Sequence, residues 1–282
     1  MTHSKQYQFN ISVPLTLVEE ESEKLFQFGA TSVSSKETKD SFLITAIFDK
    51  NPEDIPDLDT SSGTIDILDP SEWMNSWIEH YEPVKISDEL IVIPQNFQND
   101  LSRDYTYEII CDPKDAFGHG GHPTTKMCLH HLLQLIVNSD IPNDKITLLD
   151  AGTGTGLLAI LGAMMGCSVI DAFDYDYDAV TSASKNAKLN NISTINIFKD
   201  DIFTLDLKKS YHIITANLLT DILLKVPTIL KSHLKDEGYL ILSGIGSQWR
   251  KEIISTYEEA GFQVFKEDIL HDWTLFILRI NS

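Results

Sequence analysis

The residues best placed to do chemistry begin with Asp150-Ala-Gly152-Thr-Gly154-Thr-Gly156, which follow an apolar run and open a helix-forming stretch. Glycines at a strand-to-helix turn let the backbone bend tightly and approach a ligand closely. A dinucleotide fingerprint, G-x-G-x-x-G, would put its third glycine at position 157, which is Leu157. The glycine comes one residue earlier. That spacing tells against a pyrophosphate and favours a smaller group, such as the methionyl part of S-adenosylmethionine. Turns of this kind also occur without a ligand. The next strand ends at Asp174, 22 residues after Gly152. An acid at that tip can accept hydrogen bonds from two vicinal ribose hydroxyls. Asp176 and Asp178 follow, and Asp178 reads as the N-cap of the next helix. Asp200-Asp201 end a further strand region, where an acid can contact an adenine amino group or close a turn. Ala216-Asn217-Leu218-Leu219 end a mid-sheet strand. The Asn217 amide oxygen can accept an amine N–H and its NH2 can donate. An Asn can also merely end a strand.

Upstream lies Asp115-Ala-Phe-Gly-His-Gly-Gly-His-Pro-Thr-Thr125, a Gly-rich loop with Pro123 near the start of a helix over 124–137. It lacks the G-x-x-x-x-G-K-[ST] of a P-loop. His119 and His122 have no Cys or third ligand at a recognised metal-site spacing, so no metal site is assigned. His130 and His131 read as ordinary helix residues.

The elements that position these residues alternate. From Ile146 onward, strands 146–150, 168–174, 194–198, 212–217 and 239–243 are interleaved with helices 156–165, 178–190, 220–234 (bent at Pro227) and 248–260. Repeated βα units imply a parallel sheet with right-handed crossovers and helices on both faces. The end differs. Strands 262–269 and 273–280 are too close in sequence for a crossover helix, so they form an antiparallel hairpin. This layout resembles class I methyltransferases: Rossmann-like, mostly parallel, closed by a C-terminal antiparallel hairpin. Strands 86–93 and 105–111 introduce this domain. The first seventy residues read as a small α+β unit. It has strands at Tyr7–Val13, 41–48 and 64–68, a helix over 16–28 capped by Gly29, and a loop or short helix over 51–62. The order resembles a ferredoxin-like βαββαβ pattern whose second helix is weakly marked. Trp73, Trp77 and Tyr81 share one face of a helix, read as the connection between domains. The expected division is therefore 1–70, a linker helix 71–84, and a catalytic domain 85–282.

Composition bounds the function classes. The 282 residues carry 22 Lys+Arg against 42 Asp+Glu, a net charge of -20, and are 42% hydrophobic. That supports a packed core and excludes disorder, collagen and coiled coil. It argues against direct nucleic-acid binding, which needs Lys/Arg clusters, and against anionic membranes. Residues 1–141 hold 9 Lys/Arg and 24 Asp/Glu. The front half is thus suited to a basic partner, although solubility alone also accounts for acid. Cys111, Cys128 and Cys167 form no CxxC pair and are odd in number, which points to the reducing cytoplasm. The first ten residues show no apolar core of a secretory signal.

The loop AFGHGGHPTT, the turn DAGTGTG, Asp174 and Ala216-Asn217-Leu218-Leu219, in this order, resemble the ribosomal protein L-eleven methyltransferase family (PrmA). The helix 73–81 with Pro83 matches that family's junction. The likeness covers residues 71–282 well and the N-terminal unit by size and pattern. It implies an S-adenosylmethionine-dependent N-methyltransferase acting on the N-terminal α-amine and Lys side chains of a large-subunit ribosomal protein. It implies an N-terminal domain that recognises that protein, and cofactor contacts at Thr125, Gly152, Asp174 and Asn217. No catalytic residue is assigned, and a monomer is expected. The family loop usually reads AFGTGTHPTT, so His119 and Gly121 stand where threonines are usual. Three other readings are a methyltransferase for another protein or small amine, a non-catalytic binding module of the same fold, and an NAD enzyme. Leu157 disfavours the last.

Overall fold

A computed structural model of the chain describes residues 6–30, 32–38, 41–56, 58–68, 82–97, 104–112 and 118–281. Residues 71–81 of the expected linker helix, with the aromatic stripe, and Asp115 to Phe117 lie outside the described residues; residues 82–84, its expected end, are not helical, and Val84 begins a strand. The chain divides into two compact units, Met1–His80 and Tyr81–Ser282.

The first unit contains β1 (Gln6–Val13), α1 (Val18–Gln27), β2 (Ser32–Glu37), β3 (Phe42–Phe48) and β4 (Gly63–Leu68). The order is β2-β3-β1-β4, every pair antiparallel. Alternation drives it. Phe9, Val13, Ile44, Ala46 and Phe48 point to one face and are buried with Leu25 of α1, while Asn10 and Thr45 occupy the other. Asn10 Oδ1 accepts the Thr45 hydroxyl at 2.8 Å. Gly29 (φ 91) ends α1, and Ala30 N–H returns to the Leu25 carbonyl. A 3-10 turn, Pro52–Asp54, stands in the second crossover.

The second unit opens with a small sheet of β5 (Val84–Lys85), β6 (Leu90–Pro94) and β7 (Tyr107–Cys111). Of the expected strand 86–93 only 90–93 are strand, in β6; residues 86–89 are the turn that joins β5 to β6. Ile86 and Ser87 N–H both bond the Leu90 carbonyl there. Then follow α2 (Pro123–Val137), β8 (Thr147–Ala151), α3 (Leu157–Met164), β9 (Val169–Asp174), α4 (Tyr177–Leu189), β10 (Ile195–Lys199) and β11 (Tyr211–Asn217). The chain continues with α5 (Thr220–Leu223), α6 (Pro227–His233), β12 (Leu234–Gly246), α7 (Arg250–Glu259), β13 (Phe262–Leu270) and β14 (Trp273–Ile280).

The main sheet has the order β10-β9-β8-β11-β12-β14-β13. The first five strands are mutually parallel, and β14 is antiparallel to both its neighbours. Successive residues of each central strand feed opposite cores. Leu148, Ile213 and Ile241 join one face with α2 and α3, whereas Leu149, Ile214 and Leu242 join the other with α5 to α7. Two-sided burial is why these strands read as unbroken apolar runs. The chain reverses its direction of strand addition between β8 and β11, which opens a crevice at their carboxyl ends.

Two further expectations need correction. The single bent helix over 220–234 is two short helices, because Pro227 offers no N–H and its ring opposes the carbonyl four residues back; it begins α6 instead. The strand expected at 239–243 runs from Leu234 to Gly246, because β11 and β14 pair with it on both sides.

Candidate active site

Asp150, near the end of β8, is fully buried. It accepts the hydroxyls of Thr153 and Thr215, each at 2.6 Å. Burial raises its carboxyl above the usual range and the two hydroxyls oppose that rise. The pair of bonds fixes the start of the Gly-rich turn against β11. The N–H groups of Gly152 and Thr153 both bond the Phe173 carbonyl at 2.9 Å, tying the turn to β9. Gly152 sits at φ +73, and a Cβ there would meet Leu218 Cδ2 at 2.2 Å. The turn favours glycine at this point for its backbone conformation, and the Leu218 side chain packs into the space a Cβ would take.

Asp174 closes β9. Its Oδ2 accepts Gly154 N–H at 3.0 Å and its Oδ1 accepts Asp176 N–H at 3.0 Å. A carboxylate has about four lone-pair sites, so both oxygens keep capacity for hydroxyl donors. The N-cap of α4 is Asp176, which accepts Asp178 N–H at 2.9 Å; Asp178 lies in the first turn. The sequence assignment of the cap to Asp178 is thus two residues late. The helix begins at Tyr177, so the cap falls at 176. Asp200 Oδ1 accepts Asp201 N–H, and Asp201 Oδ1 accepts Phe203 N–H at 3.0 Å.

Asn217 ends β11 opposite Ser243 of β12. Leu218 N–H bonds the Ser243 carbonyl at 3.2 Å, and the Thr220 hydroxyl bonds the Gly244 carbonyl at 3.1 Å. Gly244 (φ +86) leaves no room for a side chain: a Cβ would lie 2.0 Å from the Leu218 carbonyl oxygen. This close passage holds the 217–220 segment at the crevice.

The loop before α2 arrives from the other side. Thr155 Oγ1 donates to the Gly118 carbonyl at 2.7 Å. Asn186 of α4 donates to the Thr155 carbonyl at 2.9 Å and accepts Asp112 N–H at 2.8 Å. One buried amide therefore joins the Gly-rich turn to the end of β7. His122 caps α2, its Nδ1 accepting Thr124 N–H. His119 Nδ1 accepts Gly121 N–H at 3.3 Å. His119 Nδ1 thus serves the backbone, whereas His122 Nδ1 also lies 2.8 Å from the Thr124 hydroxyl, and burial lowers the pKa of both rings. Among the described residues no group of three or more His, Cys, Asp or Glu is placed to hold a metal ion. The three cysteine thiols are buried, with pKa values pushed up to about 12, 12 and 11 for Cys111, Cys128 and Cys167, so they are not ready nucleophiles.

These segments surround one cavity of about 740 Å³. Thr125, Gly152, Asp174 and Asn217 all line it. So do Asp200 and Asp201, Tyr175, Phe203 and Leu219, and, from the C-terminal hairpin, Trp273. Trp273 lies edge-on to His122, ring centroids 4.9 Å apart. Sequence reasoning missed Trp273, Tyr175 and Phe203, because an apolar wall leaves no local pattern. The hairpin itself was the available signal for Trp273. His119 is not among the lining residues.

The chemistry of the walls is specific. An acid that retains acceptor capacity stands at one end, beside exposed aromatic groups. A turn rich in backbone N–H lies in the middle. Thr125 Oγ1 is buried at the cavity without a hydrogen-bond partner. An unpaired buried hydroxyl costs free energy that a polar ligand atom can recover. The set fits a nucleoside bearing a charged amino-acid tail, and the volume lies in the range of about 300–1,000 Å³ usual for such sites.

Comparison with known proteins points the same way. Residues 16–280 match the family model described as Ribosomal protein L11 methyltransferase (PrmA), so the match reaches well in front of residue 71. The Ribosomal protein L11 methyltransferase of Bacillus pumilus is 33% identical over 227 residues, 79% of this chain and 70% of that protein. Its Bacillus subtilis counterpart is 32% identical over 253 residues, 89% of this chain and 76% of that protein. The crystal structure of the ribosomal protein L11 methylase from Lactobacillus delbrueckii subsp. bulgaricus superposes with a TM-score of 0.65 at 28% identity. It covers 72% of this chain and 100% of that one.

Proposed function

The chain belongs to the ribosomal protein L11 methyltransferase family, and from that premise we propose that it methylates the N-terminal α-amine and Lys side chains of the large-subunit ribosomal protein L11, using S-adenosylmethionine. The observation that carries this reading is the single cavity lined by Thr125, Gly152, Asp174 and Asn217 at the crevice between β8 and β11.

When bound, S-adenosylmethionine supplies a methyl group already activated by its sulfonium. The protein's part is to hold and orient. In this proposal the Asp174 carboxylate accepts the ribose hydroxyls, and the Gly152–Gly154 turn lies along the amino-acid tail. The Thr125 hydroxyl gains its missing partner there. Tyr175, Phe203 and the acids at 200–201 enclose the base. Asn217 faces the acceptor, its amide oxygen taking an N–H from the incoming amine and leaving the nitrogen lone pair free. Positioning of this kind supplies about 7–11 kcal/mol of a bimolecular barrier. The acceptor must be uncharged. An α-amine, pKa about 7.7–8.0, loses its proton more readily than Lys at about 10.4.

The N-terminal unit is proposed to recognise the ribosomal protein. The acidic front half supports this, since it would steer a Lys-rich partner by long-range attraction. The enzyme is proposed to act as a monomer in the cytoplasm, without direct contact to nucleic acid or membrane. No helix among the described residues is long and apolar enough to cross a membrane. The alternative of a different acceptor rests on His119 and Gly121, which stand where the family loop has threonines; a substrate screen separates it from the proposal. The test is transfer of labelled methyl to purified ribosomal protein L11. Label on L11 is expected. Intact cofactor binding without transfer would overturn the substrate and leave the fold.

A further inference from the structure

The cavity wall formed by His122 and Trp273 comes from two separate elements. His122 caps α2, which also brings Thr124 and Thr125 to the site. Trp273 opens β14, directly after the hairpin turn. Something must set the distance between helix and hairpin. His131 lies nine residues beyond His122, about 14 Å along α2 at 1.5 Å per residue. It is 1% exposed, and its Nε2 is 2.7 Å from Asp268 Oδ2 on β13. Asp268 Oδ1 accepts Ile269 N–H at 2.8 Å, so the carboxylate is fixed to its own strand. Leu270 pairs with Trp273 across a turn of two residues, His271 and Asp272, and His271 sits at φ 54. So short a turn transmits the position of Asp268 to Trp273.

We propose that His131 and Asp268 are a positioning pair for the cavity, locking α2 to the β13–β14 hairpin so that His122 and Trp273 meet at its wall. The tautomer agrees. His131 Nδ1 is buried without a hydrogen-bond partner, so the ring is neutral with its proton on Nε2, donating to Asp268. The charged and titratable groups around the ring are Asp268 and Lys266 of β13 and the neighbouring His130. Burial holds the imidazole below its ordinary range, in keeping with that tautomer.

The inference rests on reading the cavity as the S-adenosylmethionine site. The test is calorimetric titration with S-adenosylhomocysteine, with melting temperatures taken alongside. Glu267 supplies a matched control: it pairs with Arg250 of α7, on the face opposite Asp268. Asp268→Ala is expected to weaken binding five- to tenfold. Asp268→Asn, which keeps an oxygen for the His131 N–H, should stay within twofold of the unaltered protein, and Glu267→Gln should leave affinity unchanged. Full affinity in Asp268→Ala would overturn the proposal, as would an equal weakening by Glu267→Gln. Absence of binding in the unaltered protein would instead overturn the cofactor reading itself.

Discussion

Asp174 Oδ2 accepts the backbone N–H of Gly154 at 3.0 Å, so the acid at the tip of β9 and the turn after β8 are fixed to each other by the protein alone. Two residues that the sequence places 20 positions apart form one rigid edge of the cavity.

Asp174→Ala removes that edge and the proposed ribose acceptor together. Hydrogen bonds to charged groups are worth about 1.5–3 kcal/mol each, which corresponds to at least about tenfold in affinity. Calorimetry with S-adenosylhomocysteine should show a loss of that size. Unchanged affinity would remove Asp174 from the site.

Gly244→Ala brings a Cβ to 2.0 Å from the Leu218 carbonyl oxygen at a φ of +86. The backbone strain alone costs about 1–3 kcal/mol, and the clash adds to it. Thermal unfolding should shift down by several degrees, at about 2–4 °C per kcal/mol for a chain approaching this size. Because Leu218 follows Asn217, turnover should fall as well. A variant with wild-type stability and turnover would show that the 217–220 segment is not held in this way.

Asn186 is fully buried and serves both Asp112 and Thr155. Asn186→Ala strands a backbone donor and a backbone acceptor. We expect a loss of about 2–6 kcal/mol in urea denaturation, since each of the two unsatisfied buried groups costs about 1–3 kcal/mol. A loss below about 1 kcal/mol, the size of an ordinary hydrogen bond, would mean that water replaces the amide.

Stability should fall with acid in two stages. His119, His122, His131 and His212 have their pKa values lowered chiefly by burial. A lowered imidazole pKa means that the unfolded chain binds more protons than the native one. The stability due to neutral rings is therefore complete above the ordinary pKa of about 6.5 and is lost as the pH drops below it. Glu267, lowered chiefly by its bond to Arg250, loses its contribution only at more acidic pH, below about 4.3. Melting temperature followed from about pH 7.5 down to about 5.5 should decline, spanning the imidazole range. His131→Phe should flatten that decline. A flat profile in the unaltered protein would contradict the assignment of buried neutral imidazoles.

Much of the second unit was legible because its strands are buried on both faces and its turns are marked by glycine. The spacing from Gly152 to Asp174 reflects one α3 helix between two adjacent strands. What was not legible depends on partners distant in sequence. Ser32–Glu37 reads SVSSKE, with no strand pattern, and becomes β2 by pairing with β3. His131 looked like any helical residue until Asp268, 137 positions away, came to face it. Trp273 reaches the cavity only because the hairpin folds beside β12. The aromatic stripe at Trp73 and Trp77 lies outside the described residues.

The most direct measurement is a crystal structure of the protein grown with S-adenosylhomocysteine. The account predicts the nucleoside in the cavity between β8 and β11, its ribose hydroxyls on Asp174 and its sulfur toward Asn217. A ligand bound elsewhere, or a ribose turned away from Asp174, would contradict it.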